Sequence, residues 1–162
     1  MKIHYHVGSA LEPVEKPAII AHICNDIGGW GSGFVIAINN KWTAPMAAYI
    51  SKSHFTLGQV DIIPVEDGIC VANIIGQHGL IGPKNTSPVR YDAITTGLRF
   101  IANICRHSHT SLHIPRIGCA RGGGTWDRIV QCLRESCQGI DVHVYDLPQE
   151  VDYYKQFGYP TE

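Results

Sequence analysis

The stretches CNDIGGWGSGF (residues 24–34) and PRIGCARGGGTW (residues 115–126) carry four glycines each, and each stands where an apolar, strand-like run gives way to a helical pattern. Glycine has no Cβ and accepts positive φ. Successive amide N–H groups can therefore turn inward at a helix start, where the helix dipole also favours negative charge. Such a loop holds a phosphate without lysine. Two of them at the carboxyl ends of sheet strands would face one crevice from both sides, which suits a diphosphate; the alternative is that the glycines only make tight turns. The sequence contains no GxxxxGK[ST], and GGWGSG does not fit GxGxxG with a following acidic residue, so neither a nucleotide triphosphatase nor a plain dinucleotide site is indicated.

Beside these loops stand groups able to move protons or bind polar atoms. Asn25 can donate and accept, Asp26 follows it, and His78 in GQHG lies on a loop after the apolar run ICVANII, where it can exchange a proton near neutrality. Trp30 can cover a ligand or close the first loop. Cys119 lies inside the second loop, but Arg121 follows it by only two positions, so no CxxxxxR phosphatase loop is present. No HExxH and no Cys/His cluster at ligand spacing occurs, and no metal or cofactor is expected. His4 and His6 at alternate strand positions, and His107 and His109 after Arg106, read as ordinary polar side chains.

The elements that must position these groups follow from periodicity. KIHYHV, PAIIAHIC, QVDIIPV, GICVANII, SLHIPRI and IDVHVYDL read as strands, with EDG as a tight hairpin between the third and fourth. Phe34, Ile38 and Trp42 mark a helix, and Pro45 opens a second, PMAAYISKSH. Tyr91, Ile94, Leu98, Ile101 and Ile104 form the stripe of the longest helix, and Thr125 is expected to cap a last helix through Cys137, ended by Gly139. Residues 148–162 suggest no firm element. Interleaved strands and helices predict an α/β protein, a three-layer α/β/α sandwich on one mixed sheet, as a single domain over 1–162.

The 162 residues carry 13 basic and 14 acidic side chains, a net charge of −1, which argues against a broad cationic surface for nucleic acid or anionic lipid. The six cysteines form no CxxC and read as reduced thiols, the amino terminus lacks the apolar run of a signal peptide, and a cytoplasmic protein without membrane association is expected.

Over residues 2–147 the chain resembles the macro domain family, through AHICNDIGGWGSGFVIAI and PRIGCARGGGTW in that order. Within it, the similarity is greatest to the branch containing terminal ADP-ribose protein glycohydrolase and yeast ADP-ribose-1″-phosphate phosphatase. The resemblance implies an ADP-ribose site across the carboxyl ends of the sheet. Asn25 would bond the distal ribose, Gly31, Ser32 and Gly33 one phosphate, and Gly118, Cys119, Ala120, Arg121, Gly122 and Gly123 the other, with Cys119 contributing backbone rather than sulfur. Ser9 stands where many macro domains carry the Asp that binds the adenine amino group, and adenine selectivity is left open. NIIGQHG and GCARGGG lack the lysine and aspartate of the glycohydrolase branch, so its covalent lysine adduct has no residue to form on. A water activated by His78 or Asp26 and oriented by Asn25 is the replacement, with the loop amides stabilising developing charge. Two readings follow. One is a hydrolase of ADP-ribose-1″-phosphate or of an ADP-ribosyl linkage on a macromolecule, with nucleic acid a partner only as an ADP-ribosylated substrate. The other is a reader that binds ADP-ribose without turnover. The sequence does not specify the oligomeric state.

Overall fold

The computed structural model describes residues 1–162. Six strands form: β1 (Lys2–Val7), β2 (Ala18–Asn25), β3 (Val60–Glu66), β4 (Ile69–Gln77), β5 (Ser111–Ile114) and β6 (Asp141–Asp146). Five helices accompany them: α1 (Phe34–Lys41), α2 (Ala44–Ile50), α3 (Tyr91–Ser108), α4 (Trp126–Ser136) and α5 (Val151–Lys155). The sheet runs β1-β6-β5-β2-β4-β3, with every pair parallel except β3 against β4. The expected α/β sandwich on a mixed sheet is therefore present. No helix is long and apolar enough to cross a membrane.

Strand alternation separates two apolar layers. Ile19, Ala21, Leu112, Ile114, Val142 and Val144 meet Leu98, Ile101, Ile129 and Leu133 of α3 and α4 on one face. Ile20, Val71 and Ile75 meet Ile38 of α1 and Tyr49 of α2 on the other. On α3 the buried residues Ile94, Leu98, Ile101 and Cys105 recur every three or four positions, which turns one side of the helix onto the sheet.

Local differences from the sequence reading have local causes. β5 stops at Ile114 because Pro115 has no N–H to continue the ladder. α2 ends at Ile50, short of His54. Thr125 occupies the cap position of α4 but makes no side-chain cap bond; its amide donates to the Tyr91 hydroxyl at 3.1 Å instead. The tail folds as a 3₁₀ turn, Pro148–Glu150, leading into α5.

His4 and His6 are not ordinary surface residues. Register places His4, His143 and His113 in one row across β1, β6 and β5, and their rings stack at centroid separations of 4.6 Å. His6 Nε2 shares a hydrogen with His143 Nδ1 at 2.8 Å, and His113 lies between Ser111 Oγ and the Tyr145 hydroxyl, each at 2.8 Å. Glu15 reaches His143 Nε2 at 3.1 Å and the Val14 amide donates to the Tyr145 hydroxyl at 3.0 Å, which ties the loop after β1 onto this polar stripe. Further along the same face, buried His22 lies 2.6 Å from Asn73 Oδ1. The Asn73 amide nitrogen donates to Pro45 O, so its oxygen is an acceptor and His22 carries its proton on Nε2.

Burial, with mutual repulsion in the stack, holds these imidazoles neutral. Desolvation takes His22 down to about 4, and desolvation with the charges of His143 and His6 takes His113 down to about 3; His143 and His6 are also lowered. An unfolded histidine titrates at about 6.5. The unfolded chain therefore binds more protons below that value, and stability present at pH 7 is lost as pH falls from about 6.5 toward 4. His22 alone accounts for on the order of 3 kcal/mol across that window. Urea unfolding at pH 7.5 and 4.5 is expected to show this loss, with a shallower pH slope in His113→Gln. Equal stability at both pH values would remove the assignment of buried neutral histidines.

Candidate ligand-binding site

Because β1, β6, β5, β2 and β4 are parallel, their carboxyl ends share one edge of the sheet, and a cavity of about 840 Å³ opens there. That volume fits a substantial small molecule. Gly8 to Ala10, Gly29 to Gly33 and Gly118 to Gly122 contribute its walls, so both glycine loops face the same space.

Asn25 builds the first loop. Its Oδ1 accepts the Ile27 amide at 3.1 Å and the Gly29 amide at 2.9 Å, the Tyr49 hydroxyl lies 2.6 Å from Asn25 O and 2.8 Å from Oδ1 and shares its one hydrogen between them, and Nδ2 donates to Gly29 O at 2.8 Å. The second hydrogen of Nδ2 has no partner within the protein. Trp30 packs edge-on to His22 and tilted against Tyr49, with its ring buried, so it staples the loop to the core. Gly31, Ser32 and Gly33 are exposed and line the cavity. Gly33, at φ 79° and ψ −145°, lies immediately before α1 in a conformation that L side chains avoid.

In the second loop the backbone doubles back on itself. The Gly124 amide donates to Gly118 O at 2.8 Å, and a Cβ on Gly122 would stand 2.6 Å from that oxygen. Gly118, Cys119, Ala120, Arg121 and Gly122 line the cavity; Gly123 does not. A Cβ at Gly123 would meet Thr86 O at 2.4 Å, so this glycine holds the loop against the segment preceding α3. Burial pushes the Cys119 thiol up to about 12, which leaves it protonated, and its amide donates within the loop to Arg116 O at 3.3 Å. Exposed Arg121 lays its side chain beside Gly33, with Cδ 3.6 Å from the position a Cβ would take, and so spans the two loops.

Asp26 and His78, 52 residues apart in sequence, meet where β2 and β4 end. His78 Nδ1 lies 2.6 Å from Asp26 Oδ2, and the Gly79 amide donates to Asp26 Oδ1 at 2.9 Å. Partial burial raises the Asp26 pKa, but the Gly79 amide and His78 outweigh it and hold the carboxyl below its ordinary value. The pair stands beside the cavity rather than in its wall, next in sequence to the lining residues Asn25 and Gln77.

At the β1/β6 end, the Ser9 hydroxyl accepts the Leu11 amide at 3.1 Å and its residue lines the cavity. Two features there were missed in the sequence. Arg116 donates Nε and Nη2 to Asp146 at 2.8 and 2.7 Å and also bonds Pro160 O, with the rings of Trp126, Tyr154 and Tyr5 about its guanidinium. Arg116 within the apolar PRI and Asp146 ending an alternating strand were the available signals. Glu150 and Tyr154 of the tail also line the cavity.

Away from the cavity, Glu15, His113 and His143 bring potential ligand atoms within 4.8 Å of one another. The two rings are parallel to within 6°, so their in-plane lone pairs do not converge, and all four ring nitrogens are hydrogen-bonded. The cluster acts as the loop anchor described above.

No family model matches the chain. It is 26% identical to mouse chromodomain-helicase-DNA-binding protein 1-like over 91% of its own length, and it spans only 18% of that protein. Among solved structures, a Bacteroides thetaiotaomicron protein of unknown function is 44% identical with a TM-score of 0.85, covering 91% of this chain and 99% of that one. A macrodomain protein from Streptomyces coelicolor is 43% identical with a TM-score of 0.77, covering 90% of this chain and 99% of that one. With both glycine loops at the strand ends and this likeness over almost the whole of a solved member, the chain belongs to the macrodomain family.

Proposed function

We propose that the cavity binds ADP-ribose and that the protein hydrolyses a bond at its distal ribose. The observation that carries the binding reading is the pair of glycine loops facing each other across one cavity, with Arg121 spanning them. Glycine-loop amides at the strand ends and one cation suit a diphosphate, and a ribose beyond it would reach the β2/β4 end. There Asn25 offers its remaining N–H, and the Asp26–His78 pair supplies proton transfer. His78 Nε2 accepts a proton from a water while Nδ1–H donates to Asp26. The water oxygen attacks the anomeric carbon or a terminal phosphate; the bond to the leaving group breaks and that group departs with the electron pair, to be protonated by the imidazolium. ADP-ribose-1″-phosphate and an ADP-ribosylated macromolecule are both substrates of this chemistry.

A second reading, a reader without turnover, is favoured by the position of Asp26 and His78 beside the cavity wall. Turnover of ADP-ribose-1″-phosphate and ADP-ribosylated protein separates the two. His78→Ala and Asp26→Asn are expected to lower turnover by about 100-fold or more, as loss of a general base does, while ADP-ribose affinity stays within about threefold. Wild-type turnover in both variants would overturn the dyad. ADP-ribose binding with no turnover of either substrate by the wild-type protein would establish the reader.

A further inference from the structure

The tail, residues 148–162, has an inner and an outer side. Tyr154 and Thr161 are 7% and 6% exposed, whereas Tyr153 and Phe157 are more than half exposed. The inner side meets Arg116: Nη2 donates to Pro160 O, and the Tyr154 ring lies 4.7 Å from the guanidinium. Arg116 is itself part of the second glycine loop, since its carbonyl accepts the Cys119 amide at 3.3 Å. Its side chain is buried, with Nε and Nη2 on Asp146 at the end of β6. Nη1 meets no hydrogen-bond acceptor, so the rings of Tyr5, Trp126 and Tyr154 are what face the charge there.

We propose that the tail is a positioning element of the ligand site: through Arg116, Tyr154 and Pro160 hold the second glycine loop in the geometry that takes a phosphate. The inference rests on the ADP-ribose reading above. Glycines at 118, 122, 123 and 124 leave this backbone many conformations, so its rigidity comes from what its two limbs are tied to. The later limb is tied by the Val89 amide, which donates to Gly122 O at 3.0 Å. The earlier limb is tied by the Arg116 side chain, and the tail supplies one of its hydrogen-bond acceptors and one of its three rings. Releasing the tail leaves Arg116 on Asp146 but loosens that tie. The loop then spends part of its time outside the binding geometry, and the apparent affinity for ligand falls by the same fraction.

The test uses the full chain with Thr161→Lys and Thr161→Asp, two charges of opposite sign that the buried position of Thr161 does not accept, so each undocks the end of the tail. Hydrogen exchange read by mass spectrometry and calorimetric titration with ADP-ribose are the two readouts. In both variants deuterium uptake over residues 115–124 is expected to rise while uptake over residues 24–34 stays at the wild-type level, and affinity is expected to fall by about tenfold. Thr161→Val, which keeps the volume and stays buried, should retain the wild-type uptake over 115–124. Unchanged uptake over 115–124, an equal rise in both loops, which a general loss of stability would give, or unchanged affinity in the folded variants overturns the role of the tail while leaving the ADP-ribose site standing. No ADP-ribose binding by the wild-type protein overturns the ADP-ribose reading instead, and the uptake comparison still decides whether the tail holds the loop.

Discussion

Arg116→Ala should destabilise the protein by about 3–5 kcal/mol, the usual cost of removing one partner from a buried ion pair. Asp146 is 1% exposed, and its two oxygens take the two guanidinium bonds from Arg116. With the arginine gone, a buried carboxylate faces Trp126, Tyr154 and Tyr5, rings that the guanidinium now covers at 4.7 to 5.1 Å. The effect is larger than that of any surface charge, because little solvent is present to screen or replace the lost partner. Urea unfolding at pH 7 measures it. Replacing both partners by apolar residues, Arg116→Met with Asp146→Leu, should recover much of the loss, since no charge is then stranded. A loss below about 1 kcal/mol in Arg116→Ala would mean that Asp146 finds water or another donor once the arginine is removed.

Gly33→Val should abolish ADP-ribose binding in a protein that still folds. At φ 79° and ψ −145° a β-branched residue is strongly strained, so the loop must change path to accept it. Gly33 is exposed and a Cβ there meets nothing closer than Arg121 Cδ at 3.6 Å, so the clash is with the backbone conformation and not with the core. Two amide bonds to a phosphate lost with the original path cost about 3–6 kcal/mol, which weakens binding by at least about 100-fold. Unchanged affinity in a folded Gly33→Val would remove this loop from the ligand site.

Much of this arrangement is legible in the sequence because local patterns and tertiary packing agree. Alternation marks β1 and β6, the apolar run PAIIAHIC marks the doubly covered β2, and the stripe of α3 faces the sheet as its spacing requires. Asp26 and His78 are alternative bases on the sequence alone, and their meeting follows from β2 and β4 being parallel neighbours that end at the same edge. Other features depend on contacts that no local pattern encodes. In β5 and β6, His113 and His143 alternate with apolar residues as solvent-facing side chains do, yet they are buried, stacked on one another and tied to the loop carrying Val14 and Glu15. Gly122 and Gly123 are equivalent in sequence, and the path of the chain at Thr86 decides which one lines the cavity. The five residues of α5 are too few to show a helical period, so the contribution of Tyr154 and the preceding Glu150 to the cavity could not be read in advance.

The central claim, that the two glycine loops hold ADP-ribose, is tested most directly by titrating ADP-ribose into the wild-type protein in a calorimeter beside Gly33→Val. Saturable binding of one ligand per chain, lost in the folded variant, is the result the geometry requires. A folded wild-type protein that shows no saturable binding of ADP-ribose would contradict it.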